Sequence, residues 1–323
     1  MGYLISEQTH GVFVIAVTPF TSTGAIDYAS VDRMLEFYMA QGVHGLTILG
    51  IMGEAQKLES EESRELTRHV LRRVGDKLPT IVGISGASFQ VMRSLAQTSM
   101  ESGAAGVMLA PATGLRTDDQ IFNYYGSVLE ALGNNIPVVY QDYPQSTGVY
   151  LSPNLFLRLV KAHPQIVMLK HEDCPGLGKI STIRRESEQQ GIRRVSILVG
   201  NGALYYPLEL RRGADGAMTG FAYPEMLVQV LEQFSAGDVE GAEDLFDLYL
   251  PLVRYEQQPN VGLAIRKEIL RRRGAIASSV LRPPGYTLSP ADIGELDSLI
   301  TRLAQRLSSM TRAEPDQAAA RPA

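Results

Sequence analysis

The clearest chemical signal in the sequence is a lysine that follows an apolar run, in the segment Ile166-Val167-Met168-Leu169-Lys170-His171-Glu172-Asp173. Burial at the end of such a run disfavours the charged form of Lys170. Only the free amine attacks a ketone, so this lysine is suited to forming a Schiff base with a 2-oxo acid. The competing interpretation is an ion pair in which Glu172 or Asp173 only satisfies the lysine.

Alternation along a strand decides which neighbours share the face of Lys170. A period of two places Ile166, Met168, Lys170 and Glu172 on one face and points His171 at the surrounding helices. Glu172 would then lie beside an imine, either as a general acid or base or as a counter-ion of the lysine.

A metal site is the competing chemical idea, because His171-Glu172-Asp173 offers three potential ligands in a row. Consecutive strand residues point to opposite faces and cannot all bind one ion. No His-x-His pair is formed by the other histidines, which are His10, His44, His69 and His163. We therefore expect an enzyme that uses no metal and no other cofactor.

Two further segments are suited to contribute to a site. Gly50-Ile51-Met52-Gly53-Glu54 could form a turn whose amides converge on an anion such as a substrate carboxylate, or a plain tight turn. Residues 139–148 place Tyr140 and several polar residues at the end of an apolar run. A phenol next to an amine can relay protons, although tyrosines in such positions often only pack.

Eight short apolar runs alternate with segments of helical periodicity, which is the pattern of parallel strands joined by helices. No dinucleotide-binding glycine fingerprint follows the first run, so the alternation predicts a single (β/α)8 TIM barrel of the α/β class. In such a barrel the catalytic side chains lie at the C-terminal ends of the strands. The predicted strands are residues 12–17, 45–49, 80–84, 106–109, 137–141, 166–170, 196–199 and 216–218.

The chain divides into three regions by its pattern. We expect the barrel over residues 11–225 and a C-terminal helical appendage, packed on the barrel, over residues 226–310. Residues 311–323 are rich in alanine, proline and charge, which predicts a disordered tail.

Composition narrows the function classes. The 323 residues are 45% hydrophobic and 20% charged, with a net charge of -5 and no basic block, which argues against nucleic-acid binding. No apolar stretch reaches the roughly 18 residues of a membrane span, and no signal peptide pattern is present, so no membrane association is expected. A single cysteine, Cys174, fits a reducing compartment, and we expect a cytoplasmic protein.

Five motifs are distributed along the chain at or near the ends of predicted strands. They are Val17-Thr18-Pro19-Phe20, Gly50-Ile51-Met52-Gly53-Glu54, Lys170, Gly200-Asn201-Gly202 and Gly213-Ala214-Asp215-Gly216-Ala217-Met218-Thr219. Together they resemble, over about residues 11–307, the Schiff-base lyases that include dihydrodipicolinate synthase and N-acetylneuraminate lyase. The resemblance implies that Lys170 forms the imine with a 2-oxo acid, and that the loop at Ile51 and Met52 holds the carboxylate through backbone amides.

The chain departs from the synthases at positions that matter for their chemistry. Ile51 and Met52 replace two loop threonines whose hydroxyls would begin a proton relay. Ser146 stands where synthases have an arginine for the carboxylate of their aldehyde substrate. The strand-five tyrosine of the family aligns with Gln141 when counted back from the proline, or with Tyr140 when the tyrosines are matched.

The same departures resemble the 2-keto-3-deoxy sugar acid branch, in particular the 2-keto-3-deoxy-L-arabonate dehydratases. This likeness implies dehydration of a 2-oxo-3-deoxy sugar acid, or its aldol cleavage with release of pyruvate. Glu172 is then the candidate for acid–base catalysis and Tyr140 the alternative. The stretches that carry it are Gln141-Asp142-Tyr143-Pro144-Gln145-Ser146, Lys170-His171-Glu172 and Gly216-Ala217-Met218-Thr219-Gly220. The expected substrate-binding residues are Ile51, Met52, Gly53, Gln141, Ser146, Asn201 and Met218.

Two other functions stay open on the sequence. One is synthase activity, in which pyruvate condenses with aspartate semialdehyde, although residues 111–117 lack the tyrosine that synthases contribute from a neighbouring subunit. The other is a non-catalytic barrel that binds a 2-oxo acid. The resemblance also implies a homo-oligomer, and we expect a homotetramer.

Overall fold

A computed structural model describes residues 3–318 of the chain, with side chains through residue 309. Eight parallel strands close into a barrel in which each strand pairs with the next and β8 pairs with β1. The (β/α)8 prediction is therefore confirmed. The strands are β1 Gly11–Ile15, β2 Gly45–Ile48, β3 Thr80–Gly83, β4 Gly106–Leu109, β5 Val138–Asp142, β6 Ile166–His171, β7 Ser196–Val199 and β8 Gly216–Thr219.

Helices surround the barrel and continue beyond it. Those associated with the barrel are α1 Tyr28–Ala40, α2 Ser60–Val74, α3 Phe89–Glu101, α4 Asp118–Leu132, α5 Pro144–Thr147, α6 Pro153–Ala162, α7 Leu177–Gln189, α8 Tyr206–Arg211 and α9 Pro224–Ser235. Those that follow are α10 Val239–Glu256, α11 Gly262–Arg272 and α12 Pro290–Ala318. None of the helices in residues 3–318 combines the length and the apolar character that a membrane span requires.

Local sequence accounts for where several helices begin. The Ser88 side chain accepts a hydrogen bond from the amide of Val91 at the start of α3, and Ser152 caps α6 ahead of a proline. Thr117 and Gln120 form a reciprocal capping box at the start of α4. Such caps satisfy amides that have no partner within the helix, so each strand-to-helix connection is defined by its own residues.

The segment predicted to be a disordered tail begins inside the last helix. Helix α12 continues to Ala318. The remainder of that predicted tail, residues 319–323, lies outside the described residues.

Two layers of apolar side chains make up the core. One fills the space between strands and helices, and the other fills the barrel interior, where Phe13, Met108, Met168 and Met218 meet. Ile166 was expected on the interior face with Met168 but belongs to the outer layer. The cause is a register shift between β5 and β6 at Val138 and Val139, which changes the alternation near the start of β6.

Candidate active site

Lys170 and Glu172 share the interior at the C-terminal end of the barrel, as alternation predicted. The Lys170 Nζ lies 3.1 Å from Glu172 Oε2, and the lysine side chain is only 4% exposed. Glu172 follows the last residue of β6, but its amide still donates to the carbonyl of Asp142 at 2.9 Å. The β5–β6 ladder therefore continues far enough to hold the Glu172 side chain beside the lysine.

Gln141 occupies the strand-five position of the site. It lies opposite Lys170 in the β5–β6 register, and its Nε2 donates to Glu172 Oε2 at 2.7 Å. The same carboxylate oxygen thus receives the amide of Gln141 and faces the amine of Lys170. Of the two residues between which the sequence left the alignment open, Gln141 is the one whose side chain faces Glu172 and Lys170.

Tyr140, the alternative candidate for acid–base catalysis, lies in the core between strands and helices and not in the chamber with Lys170. Its ring stacks on Tyr125 with centroids 4.4 Å apart and meets Phe156 edge-on. Strand alternation turns Tyr140 toward the helices once Gln141 faces the interior. Burial, with the charge of Asp142 second, raises the pKa of its phenol well above the usual value. Tyr140 is a packing residue of the outer core.

Asn201 lies on the opposite side of Glu172. Its Nδ2 donates to the Glu172 backbone carbonyl at 2.8 Å, and it lines the same inner chamber as Lys170. The preceding residue, Gly200, has no room for a side chain, because a Cβ there would overlap the Glu172 side chain. Glycine at this position therefore lets the end of β7 approach the Glu172 carboxylate.

The segment of residues 50–54 forms a short 3-10 turn over Ile51–Gly53. The Gly53 amide donates to the Gly50 carbonyl at 3.0 Å, and the Gly53 carbonyl accepts the Thr18 hydroxyl at 2.6 Å. Ile51 and Met52 line the inner chamber with Lys170. Their amides open the turn, and the first amides of a helical turn have no acceptor within it.

The turn is anchored from its far side. Glu54, buried and in the left-handed region with φ of 54°, binds the amine of Lys267 at 2.5 Å and that of Lys57 at 2.8 Å. Lys267 also donates to the Thr18 carbonyl at 2.8 Å. The C-terminal helix α11 thereby fixes the position of the turn that faces Lys170.

The site has two parts. The inner chamber, of about 50 Å³, contains Lys170 and Glu172 and is lined on one side by Thr219 and Gly220 of the β8 end. It leads into an open cavity of about 950 Å³ that residues 256–263 and 281–286 of the C-terminal region partly enclose.

Two predicted substrate-binding residues lie elsewhere than expected. Ser146 lies in α5 at the outer cavity, exposed, and not beside Lys170. Met218 is fully buried in the barrel interior and does not line the chamber that contains Lys170. Inward-facing residues alternate, so Met218 fills the layer below, and Thr219 and Gly220 at the end of β8 reach the chamber.

Three residues that line the chamber were missed by sequence reasoning: Tyr143, Gln257 and Arg266. Tyr143 stands two positions after Gln141, and same-face spacing was the signal that could have identified it. Burial and the negative charge of Glu172 raise the pKa of the Tyr143 phenol. Gln257 and Arg266 come from the C-terminal helices, and no local pattern places those helices over the barrel mouth.

The His171-Glu172-Asp173 triplet splits as strand geometry requires. His171 points outward, where its Nε2 lies 3.1 Å from the Gly176 carbonyl. Lys179 lies between Asp142 at 2.7 Å and Asp173 at 2.8 Å. In the part of the chain that the structure describes, no group of three or more His, Cys, Asp or Glu side chains is arranged to hold a metal ion.

Comparison with known proteins identifies the family. Residues 8–303 match the model of the dihydrodipicolinate synthetase family. The chain belongs to this family. Its members are lyases that act through a Schiff base, so the expected lyase assignment is confirmed. The resemblance drawn from the motifs is confirmed over nearly the whole length on which it rested.

The relatives of this chain are named either as a dehydratase of a deoxy sugar acid or as a synthase. An L-2-keto-3-deoxyarabonate dehydratase of Azospirillum brasilense is 31% identical over 92% of this chain and 96% of its own. A 4-hydroxy-tetrahydrodipicolinate synthase of Streptomyces coelicolor is 30% identical over 83% of this chain and 85% of its own. A solved structure titled dihydrodipicolinate synthase, from Rhodopseudomonas palustris, is 44% identical with a TM-score of 0.91, over 93% of this chain and 100% of its own.

Proposed function

We propose that this family member acts on a 2-oxo-3-deoxy sugar acid and dehydrates it through an imine on Lys170. The observation that carries the proposal is the Glu172 carboxylate, buried 3.1 Å from the Lys170 amine and oriented by Gln141. A carboxylate in this position is within reach of the carbon next to the imine, where dehydration begins.

The reaction starts with addition of the Lys170 amine to the C2 carbonyl and loss of water, which gives a protonated imine. Its positive charge acidifies C3, and the Glu172 carboxylate takes a C3 proton, so that the electron pair moves into an enamine. That pair then forms the C3–C4 double bond as the C4–O bond breaks, and the hydroxide leaves with a proton as water. Hydrolysis of the resulting imine restores the Lys170 amine.

Two groups can protonate the departing hydroxide. Glu172 carries the C3 proton after the first step. Tyr143 lines the same chamber, and its raised pKa keeps the phenol protonated at neutral pH. The substrate carboxylate fits the amides of Ile51 and Met52, which open the turn on the opposite wall.

Aldol cleavage is the alternative outcome of the same imine. It differs in that the base takes the C4 hydroxyl proton, after which the C3–C4 bond breaks and pyruvate is released. Product analysis distinguishes the two: dehydration retains all carbons in one molecule, and cleavage gives pyruvate and an aldehyde.

Synthase activity is the second candidate, because the 44% identical Rhodopseudomonas palustris structure is titled a dihydrodipicolinate synthase. A synthase needs a partner for the carboxylate of its second substrate. Ser146 supplies no charge at the mouth, and Lys57, which lines the outer cavity, is already paired with Glu54 at 2.8 Å. We therefore rank dehydration first.

Borohydride trapping followed by intact mass measurement tests the imine directly. With pyruvate or a 2-keto-3-deoxy pentonate, the wild type should gain the mass of one reduced adduct, and Lys170→Ala should gain none. The matched control is Lys161→Ala at an exposed position of α6, which should be trapped like the wild type. Persistence of the adduct in Lys170→Ala would place the nucleophile elsewhere.

We further propose a cytoplasmic homotetramer that needs no cofactor and no nucleic-acid or membrane partner. Family membership supports the part of this proposal that concerns an enzyme of small molecules. Sedimentation at micromolar concentration should show a tetramer, and a monomer alone would contradict it. Activity should survive chelation of divalent ions.

A further inference from the structure

Arg266 is a buried arginine on α11 that reaches the wall of the inner chamber. Its side chain is 1% exposed, and it lines the chamber together with Lys170 and Glu172. The guanidinium passes over Gly220 at the end of β8, where a Cβ would overlap its Nη1 and lie 2.9 Å from the Ile15 carbonyl. Glycine at position 220 therefore leaves the space through which the arginine approaches the chamber.

The hydrogen bonds of this guanidinium are incomplete. Its Nε donates to Glu256 Oε1 at 2.6 Å, and the other oxygen of Glu256 accepts the Ala222 amide at 3.1 Å. Among the described residues, Nη1 of Arg266 is buried without an acceptor. Buried donors are normally paired, so an unpaired one beside a catalytic amine indicates a position that a ligand atom fills.

The charge of Arg266 is already balanced by Glu256, just as Lys170 is balanced by Glu172. The wall thus offers hydrogen-bond donors without a surplus positive charge. A neutral acceptor suits such a wall better than a second carboxylate, which would enter without a counter-charge. The hydroxyl groups of a sugar acid are acceptors of this kind.

We propose that Arg266 binds a hydroxyl of the substrate's carbon chain beyond C3 and thereby selects hydroxylated 2-oxo acids over plain ones. This inference rests on the proposed function, since it takes the imine on Lys170 as the fixed end of the substrate. The carboxylate is held by the turn at Ile51 and Met52, so the hydroxylated end is left to the remaining walls of the chamber.

Two variants test the role of Arg266, and neither leaves a buried charge without a counter-ion. Arg266→Lys keeps a cation for Glu256 with fewer donors, and the double variant Arg266→Met with Glu256→Gln removes both charges. In each, kcat/KM for a 2-keto-3-deoxy pentonate should fall by about 10- to 100-fold, the range for loss of a charged hydrogen bond, mostly through KM. Borohydride trapping of pyruvate, which has no hydroxyl, should change much less.

Arg273 provides the matched control. It pairs with Glu225 at 2.7 Å and donates to the Ala222 carbonyl at 2.6 Å, outside the chamber. Arg273→Met therefore removes a neighbouring arginine–glutamate pair, and the ratio of pentonate turnover to pyruvate trapping should stay at the wild-type value.

A comparison of ligands on the wild type tests the inference without any variant. The wild type should bind 2-oxopentanoate, which has the same chain length and no hydroxyl, at least about 10-fold more weakly than the deoxy pentonate. Equal affinity for the two acids would overturn the inference, as would variants that lose trapping and turnover by the same factor. A wild type that traps neither pyruvate nor the pentonate would instead refute the proposed function itself.

Discussion

Glu172 depends on its neighbours for its position and on its charge for its chemistry. Its carboxylate faces the Lys170 amine at 3.1 Å and accepts from Gln141 at 2.7 Å, so both contacts converge on one oxygen. A buried carboxylate needs such hydrogen bonds both as a base and as a mere counter-ion, so this geometry fits both roles. The sequence left two roles open for Glu172, and they predict different results when its carboxylate is replaced by the amide of glutamine.

Glu172→Gln separates those roles at the scale of one residue. The amide keeps the size and the hydrogen bond to Gln141 but cannot take the C3 proton. Turnover of a 2-keto-3-deoxy pentonate should fall by about 10²- to 10⁴-fold, and pyruvate should still be trapped on Lys170. Glu188→Gln, at an exposed position of α7, should turn over substrate like the wild type. Near-normal turnover in Glu172→Gln would reduce Glu172 to a counter-ion.

Tyr143 and Tyr140 form a second contrast between neighbouring residues. Tyr143 lines the chamber and keeps its proton because burial and Glu172 raise the pKa of its phenol. Tyr143→Phe should therefore lower kcat by about 10- to 100-fold if the phenol protonates the leaving hydroxide. Tyr140→Phe, in the outer core, should leave kcat unchanged. The reverse pattern in steady-state kinetics would restore Tyr140 as the proton donor.

At the scale of the element, strand spacing decides how closely Glu172 and β7 approach. The Gly200 position has no room for a Cβ beside the Glu172 side chain. Gly200→Ala should displace Glu172, lower turnover at least about 10-fold, and cost roughly 1–3 kcal/mol of stability through overpacking. Gly178→Ala is the control, since α7 has open space there. Thermal melting and kinetics measure the two effects, and wild-type turnover in Gly200→Ala would show that the contact is not needed.

Helix α8 contains a buried carboxyl that the proposed reaction does not use. Burial raises the pKa of Glu209 to about 8. The folded state thus holds a proton that the unfolded chain has released, so Glu209 lowers stability progressively as pH rises from about 4.5 to about 8.

Replacing Glu209 by an uncharged residue should remove this loss of stability at rising pH. Glu209→Gln should gain stability over the wild type between pH 5 and pH 8, by roughly 1–3 kcal/mol, in urea unfolding. Glu243→Gln is the contrast, because the hydrogen bond from Arg211 lowers the pKa of that partly exposed carboxyl, and its effect on stability lies at lower pH. A pH-independent difference for Glu209→Gln would show that Glu209 is ionised in the folded protein.

The elements were predictable from sequence to different degrees. Strands and helices follow from local periodicity and caps, and the strand-end segments with Lys170, Glu172 and Gln141 meet because all parallel strands end at one rim. The positions of Tyr140 in the outer core and Met218 below the chamber could not be predicted, because alternation alone fixes neither the absolute face of a strand nor the depth of a residue in the barrel. Arg266 could not be found, since it depends on how α11 packs against the barrel.

At the scale of the whole molecule, the charge balance of the cavity bears on which of the two candidate reactions this protein catalyses. A synthase must hold a second carboxylated substrate, and a buried carboxylate without a free cation costs several kcal/mol, on the order of 2–4. In the described residues that line the two cavities, Lys57 is paired with Glu54, and Arg266 is paired with Glu256. Lys170 is the remaining cation, and imine formation commits it to the first substrate.

The intact protein should therefore turn over a 2-keto-3-deoxy pentonate or hexonate alone, without an added aldehyde, and be poor with pyruvate plus aspartate semialdehyde. The expected difference in kcat/KM is at least about 10-fold, because the deoxy acid carries only the carboxylate that the turn at Ile51 and Met52 can hold. Lys170→Ala is the control. It should abolish both reactions, which would show that both take place at this site. A synthase rate equal to or above that with the deoxy acid would assign the chain to the synthases, even with the imine on Lys170 established.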